Sequence, residues 1–222
     1  YRILEALFPP GHPYRHSTIG SMEDLSAASL ETVQQWFKDY YGAANTVLVL
    51  AGDIDVAQAR ALTEKYFGDI DAGPPVTRMK AAIPTHLSDT HEVMYDRVPQ
   101  ARVFHNWVAP GRTTRAAAEM ELVASILGSG KNSRLYQALI YDQQLAVDAS
   151  SSLQGQELVS MFDIDVTLQP DASMDRVNAI IERELQNFID AGPTPEELQR
   201  VQTRINARVV RGLEQIGGFG GK

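Results

Sequence analysis

Two strand-like segments followed by two amphipathic helices, near the carboxyl end of the chain, constrain its fold most strongly. In Glu157–Leu168 apolar residues alternate with polar ones, which is typical of a strand with one buried face. Gly155 separates this segment from a second strand-like segment, Ala146–Leu153, so the pair predicts a β-hairpin. A sheet with one apolar face requires a second layer to cover it, and the two helices that follow can supply that layer.

These two helices carry the clearest end signals in the sequence. Apolar residues at helical spacing over residues 177–188 predict one helix, which Gly192-Pro193 ends. The segment Thr194-Pro195-Glu196-Glu197 begins the next helix, because Thr and Glu at this spacing form a capping box and proline suits the first helical position. The apolar residues of this last helix are Leu198, Val201, Ile205 and Val209.

Four further elements are predicted upstream of the hairpin. His91–Val98 and Ala101–Val108 have strand-like composition, and Thr114–Leu127 has apolar residues at helical spacing. Ser133 is predicted to cap another helix that runs to about Gln143. The order is therefore two strands, two helices, two strands and two helices. It predicts an α+β fold in which an antiparallel or mixed sheet has its helices packed on one face.

The beginning of the chain predicts a separate block of helix, strand and helix. Ser26 is a candidate N-cap for a helix that Gly42 ends. The continuous apolar run Thr46–Ala51 predicts a short strand buried on both faces. A second helix is predicted from about Asp55 to Phe67, with Gly68 as its C-cap. The residues of this helix that are predicted to face inward are Val56, Ala59, Leu62 and Tyr66.

A connector divides the two patterns. Residues 71–89 contain Gly73-Pro74-Pro75 and have no sustained hydrophobic period. We therefore predict three parts: residues 1–70 as the end of a first domain, residues 71–89 as a linker, and residues 90–222 as a second domain. No internal sequence repeat is evident.

Composition opposes several classes of function. The chain has 222 residues, of which 44% are hydrophobic and 22% charged, as expected for a globular protein. Its net charge of −8 opposes binding to nucleic acid, whose phosphates require lysine and arginine. The absence of cysteine excludes disulfides and thiolate zinc sites. Apolar runs such as Val47–Ala51 are much shorter than the ~20 residues of a membrane helix, so no membrane partner is expected.

The five histidines do not form a recognisable zinc motif. His12 and His16 are four residues apart, as two ligands on one helical turn would be. Prolines and a glycine around them oppose a helix, so the favoured interpretation is a loop in which the rings pack or face solvent, and a metal pair is the alternative. The other histidines are His86, His91 and His105.

A glycine-rich segment, Gly128-Ser129-Gly130-Lys131, superficially resembles a phosphate-binding loop. A Walker loop requires a glycine five residues before the Gly-Lys pair and a serine or threonine after it. Ser125 and Asn132 occupy these positions, and the segment follows a predicted helix rather than a strand. We therefore interpret it as a turn between two helices.

Two aspartates, Asp163 and Asp165, share one face of the predicted strand. Paired carboxylates can act as metal ligands or as an acid and a base. The favoured interpretation is an exposed, solvated strand face, because a strand with one buried face alternates in this way. The sequence contains neither a Gly-x-Ser-x-Gly motif nor a cysteine that could supply a nucleophile.

The last predicted helix carries a row of arginines opposite its apolar residues. A solvated helix face is the default interpretation of such a row. The alternative is a surface that docks on an acidic part of another domain of the same protein. The row comprises Arg200, Arg204, Arg208 and Arg211.

Several short motifs, in their order along the chain, resemble the pitrilysin/insulinase family of zinc peptidases. They are Gly11-His12-Pro13-Tyr14, Ile19-Gly20, Ser26 before its helix, Tyr40-Tyr41, Ala51-Gly52-Asp53, Gly128–Tyr136, Gln144-Leu145-Ala146 and Gly192–Leu198. The resemblance implies the metalloprotease fold of the mitochondrial-processing-peptidase type. In that family, homologous domains pair into halves that enclose a chamber for unfolded peptides.

The resemblance also implies zinc in the parent protein. The family holds zinc with the two histidines of His-x-x-Glu-His and a distant glutamate, and the glutamate inside the motif activates the zinc-bound water. All of these residues precede Gly11-His12-Pro13-Tyr14 in the family. We therefore assign no catalytic, cofactor-binding or metal-binding residue to this chain.

A second departure from the family concerns substrate contacts. The family's substrate-contacting arginine and tyrosine correspond here to Ile140 and Val147, and neither side chain can donate a hydrogen bond. The chain is thus expected to be a fragment that covers the end of the first domain and most of the second. Tyr1–Leu7, which reads as the end of a helix, and the glycine-rich residues 216–222 agree with cuts through a longer chain.

The leading hypothesis is that this chain is an inactive fragment of a zinc metalloendopeptidase, favoured in a bacterial periplasm or another exported compartment. The expected partners of the parent are the remaining domains of the same polypeptide and unfolded peptides, and surface exposed by the cut could make the fragment dimerise. One alternative is a non-catalytic scaffold or processing partner with the same fold. Another is a standalone binding module unrelated to proteolysis.

Overall fold

The computed structural model describes residues 2–86 and 88–214, and the chain divides into two compact units. The larger unit comprises Tyr1–Arg15 and Ala81–Lys222, and the smaller unit comprises His16–Lys80. The helices are α1 (Arg2–Leu7), α2 (Met22–Ala27), α3 (Leu30–Tyr40), α4 (Val56–Phe67), α5 (Arg115–Gly128), α6 (Met174–Ala191) and α7 (Pro195–Glu214). The strands are β1 (Arg102–Pro110), β2 (Ala146–Gln154) and β3 (Val159–Leu168).

The sheet of the larger unit is antiparallel, with the strand order β1-β3-β2. β2 and β3 form the predicted hairpin, and β1 pairs with the other edge of β3. At the centre of β3, Ile164 lies opposite His105 of β1 and Ser151 of β2. The α+β fold class and the hairpin are therefore confirmed, and the strand predicted over Ala101–Val108 corresponds to β1.

Helices cover one face of this sheet and bury the main hydrophobic core. On β3, Ile164 and Val166 have no exposed surface and share a cluster with Leu127 of α5 and Ile181 of α6. Full burial of a side chain of this size stabilises the folded state by about 1.5–3 kcal/mol. The alternation predicted for β3 therefore identifies the face on which the helices pack.

The N-terminal segment packs on the other face of the sheet. Val159 and Met161 lie on that face, and they form a second apolar cluster with Leu7 and Phe8. The Tyr14 hydroxyl accepts a hydrogen bond of 3.0 Å from the backbone N–H of Leu158. Residues at the start of the chain are thus fixed to the strand that forms the centre of the sheet.

The signals at the end of α6 and the start of α7 are confirmed in detail. Gly192 follows α6 with φ of 69°, a left-handed conformation that suits glycine. The Thr194 hydroxyl accepts from the Glu197 N–H at 3.2 Å, and the Glu197 carboxylate accepts from the Thr194 N–H at 2.8 Å. This reciprocal capping box begins α7 where the sequence predicted it.

Two predicted strands are wrong. Thr46–Ala51 and His91–Val98 contain no strand residues, and the side chains of Val47 and Val49 are 86% and 78% exposed. A strand needs a neighbouring strand to bind its backbone N–H and C=O groups. Within the described residues of the smaller unit no segment pairs with Thr46–Ala51, so this apolar run has no sheet to join.

The helix limits in the smaller unit are partly as predicted. Ser29, rather than Ser26, caps α3, because the Ser29 hydroxyl accepts from the Thr32 N–H whereas Ser26 lies inside α2. Gly42 does not end α3 directly, since Tyr41 follows the helix and Gly42 begins a short 3₁₀ turn.

The limits of α4 are as predicted, but its environment is not. Asp55 caps α4 and Gly68 ends it, in agreement with the sequence. Large apolar side chains of α4 are exposed, however: 44% of the surface of Leu62 and 66% of that of Tyr66 is accessible. The prediction that these residues face inward was therefore wrong. Helical spacing predicts the helix itself, whereas burial depends on a packing partner that the described part of the smaller unit does not supply.

The segment after α5 is helical but irregular. Residues 134–142 are helical as predicted, and Tyr136–Asp142 adopts the wider π form. The Ser133 hydroxyl donates to the Gly130 carbonyl at 2.7 Å and so does not act as the predicted side-chain cap. None of the described helices combines the length and the apolar character needed to cross a bilayer.

Candidate functional site

His12 and His16 have different environments. His12 is buried, its ring stacks on Phe8 at 4.6 Å between centroids, and its Nδ1 accepts from the Tyr14 N–H at 3.1 Å. The following residues Pro13–Arg15 form a short 3₁₀ turn, and His16 is exposed in the smaller unit. His12 therefore has a packing role in the larger unit.

Other potential metal ligands are also dispersed. His86 Nε2 lies 3.0 Å from the Leu7 carbonyl oxygen, and His105 Nε2 lies 3.0 Å from Asn178 Oδ1. The described residues contain no group of three or more His, Cys, Asp or Glu side chains that could hold a metal ion. The described residues therefore do not fit the zinc ion that the resemblance implies, and no zinc-dependent step is assigned to them.

The turn after α5 presents carbonyl oxygens rather than amides. Arg204 Nη1 donates to the Ser129 carbonyl at 2.6 Å, and Arg200 Nη2 donates to the Asn132 carbonyl at 3.1 Å. A phosphate-binding loop instead directs backbone N–H groups at its ligand. Gly128-Ser129-Gly130-Lys131 is therefore a helix-to-helix turn whose carbonyl groups bind arginine.

The arginine row is only partly solvated. Arg200 and Arg204 bind the turn at the C-terminal end of α5, where cations are favoured by the helix dipole. Arg208 and Arg211 are exposed. The default interpretation of a solvated face thus applies only to the second half of the row.

Ile140 and Val147, which the resemblance matches to the family's substrate-contacting arginine and tyrosine, lie in different elements. Ile140 lies within the π segment and packs against the main core, whereas Val147 on β2 is 42% exposed. Gln144, between them, has φ of 51°, a left-handed conformation unusual for a side chain of this type. Neither Ile140 nor Val147 can stabilise a developing negative charge by donating a hydrogen bond.

Asp163 is buried, so its predicted solvated environment was wrong. Its residue is 3% exposed, and Gln154 Nε2 donates to its carboxylate at 2.6 Å. Burial raises the pKa of Asp163, the Gln154 hydrogen bond lowers that pKa, and the Asp165 charge raises it further. The strand face that carries Asp163 also carries Met161, which packs against the N-terminal segment, and this face is therefore not free.

Asp165 is half-buried on the same face. Burial raises its pKa, Arg102 opposes this change and the Asp148 charge reinforces it. The two carboxyl groups are thus held in surroundings that disfavour their charged forms. Such surroundings occur at functional sites and also in structural networks. Among the described residues, no third acidic, histidine or cysteine side chain joins the two aspartates to form a metal-binding group.

Replacing Asp163 with asparagine is expected to stabilise the chain at pH 7 by about 1 kcal/mol, because asparagine keeps an acceptor for Gln154 and removes a buried charge. A raised pKa means that the native carboxyl group stabilises the fold below its ordinary pKa and loses this contribution as the pH rises through the folded-state value. The difference between Asp163→Asn and the parent should therefore shrink in acid. Urea unfolding, followed by circular dichroism from about pH 3 to about pH 8, measures this difference in the free energy of unfolding.

The exposed Asp89 provides the matched control, since Asp89→Asn removes the same charge from a connecting segment. Its effect on the free energy of unfolding should stay within about 0.5 kcal/mol. A destabilised Asp163→Asn variant at pH 7 would show that the carboxylate has a stabilising partner.

A network that sequence reasoning missed joins α6 and α7 to the helical segment that begins at Arg134. Arg134 Nε and Nη2 donate to the two carboxylate oxygens of Glu197 at 2.8 and 2.7 Å, and Nη2 also donates to the Gly192 carbonyl at 2.9 Å. The guanidinium lies 5.0 Å from the centroid of the Phe188 ring. The capping pattern indicated Glu197, but no local signal pairs it with a residue that precedes it by 63 positions.

Comparison with known proteins identifies the family. Residues 27–205 match the family described as the peptidase M16 inactive domain. An uncharacterized zinc protease of Streptomyces coelicolor is 24% identical over 204 residues, which cover 90% of this chain and 44% of that protein. The chain spans about half the length of this relative.

Solved structures share the fold. The peptidase M16 inactive domain from Pseudomonas fluorescens has a TM-score of 0.78 at 19% identity, over 95% of this chain and 52% of that chain. The periplasmic protease PqqL from Escherichia coli has a TM-score of 0.67 at 16% identity, over 96% of this chain and 24% of that larger chain.

The resemblance to zinc peptidases is therefore confirmed at the level of the family. Relatives are named zinc proteases, while the matched region is described as inactive. The chain belongs to the peptidase M16 family and corresponds to its inactive domain.

Proposed function

We propose that this chain is the structural, non-catalytic part of a zinc-dependent metalloendopeptidase of the pitrilysin/insulinase type. The observation that carries the proposal is the match of residues 27–205 to the M16 inactive domain, in a chain whose described residues offer no zinc ligand set. The parent holds zinc outside this chain and hydrolyses unfolded peptides between two halves. The chain alone has no peptidase activity.

We further propose that residues 1–70 are the end of a first peptidase domain and that residues 90–222 form a second domain. Residues 71–89 are the linker between the two domains. Exposed apolar side chains in the smaller unit support an incomplete first domain, since Val47, Trp36 and Phe37 are 86%, 50% and 49% exposed. Monomeric proteins rarely expose many large apolar groups together. The partner of this surface is the remainder of the same polypeptide, and a homodimer of the fragment is the competing outcome.

The proposed location is the periplasm or another exported compartment of a bacterium. Support comes from the structural relative described as a periplasmic protease. The partners proposed for the parent are peptides rather than nucleic acid, in keeping with the net charge of −8.

Expression of the natural full-length protein that contains this segment tests the proposed activity. We expect stoichiometric bound zinc and hydrolysis of an unstructured peptide, with both lost in the presence of a chelator. An upstream region with degenerate ligand positions and no zinc would favour the non-catalytic scaffold. A natural protein without any peptidase-like upstream region would favour a standalone binding module.

A further inference from the structure

We draw no further inference here: the strongest candidate, the outer edge of β1 with the exposed side chains of Phe104 and Trp107 beside it, carries nothing because the described residues contain no strand paired with that edge and nothing in the structure shows what covers it.

Discussion

Replacing Gly128 with alanine is expected to lower the free energy of unfolding by about 3 kcal/mol or more. Gly128 is the last residue of α5 and is buried against β2. A Cβ atom at this position would overlap the Ser151 backbone nitrogen and lie 2.6 Å from the Ser150 carbonyl carbon. These atoms belong to a strand paired with β3, so α5 must move away from the sheet and open the main core.

Chemical denaturation followed by circular dichroism measures this loss, and Gly212→Ala is its matched control. Gly212 lies inside α7 with open space around its Cβ position. Alanine there should raise stability by up to about 1 kcal/mol through helix propensity. If Gly128→Ala were as stable as the parent, the close contact between α5 and β2 would be wrong.

Breaking the Arg134–Glu197 pair is expected to cost about 2–4 kcal/mol. The two side chains are only 16% and 14% exposed, and removal of Arg134 leaves the Glu197 carboxylate and the Gly192 carbonyl without their shared donor. Arg134→Met keeps a long apolar stem against Phe188 and therefore tests the charge and hydrogen bonds rather than packing. This substitution should weaken the attachment of the turn between α6 and α7 to the helical segment that carries Arg134.

The pair also predicts a pH dependence. The Arg134 hydrogen bond lowers the pKa of Glu197 below its ordinary value of 4.5, against the opposing effect of burial. A lowered pKa contributes stability above the unfolded-state value that is lost as the pH falls through the folded-state value. The parent should therefore lose more stability than Arg134→Met when the pH falls below about 4.5.

A double-mutant cycle with Glu197→Gln isolates the coupling between the two side chains. The exposed pair of Arg115 and Glu119 gives the comparison, since surface ion pairs contribute about 0–1 kcal/mol. A coupling free energy near zero for Arg134 and Glu197 would contradict the structural role assigned to their contact.

Local signals were sufficient for much of the larger unit. The hairpin around Gly155 and the capping box at Thr194 depend on residues close in sequence, and the structure contains both of them. Helical spacing likewise predicted α6. Such features can be predicted because their partners lie within a few positions along the chain.

Predictions failed where the outcome depended on distant partners. Thr46–Ala51 has the composition of a buried strand, but burial requires a neighbouring sheet that sequence periodicity cannot supply. Asp163 alternates like a solvated residue, yet its strand face is partly covered by the N-terminal segment. The contact between Arg134 and Glu197 also joins residues from separate elements.

The family resemblance gave information of a different kind. It indicated which functional groups to look for, and the hydrophobic residues Ile140 and Val147 then argued against a substrate-stabilising role for this domain. The match to the M16 inactive domain agrees with that interpretation. The fold thus carries the family relationship.

The most direct test of a non-catalytic role is a measurement on the 222-residue chain itself. The purified chain is incubated with zinc, dialysed, assayed for bound metal and then supplied with an unstructured peptide whose cleavage is followed by mass spectrometry. We predict substoichiometric zinc and no cleavage above a zinc-only control. Stoichiometric zinc together with chelator-sensitive turnover of the peptide would contradict the assignment.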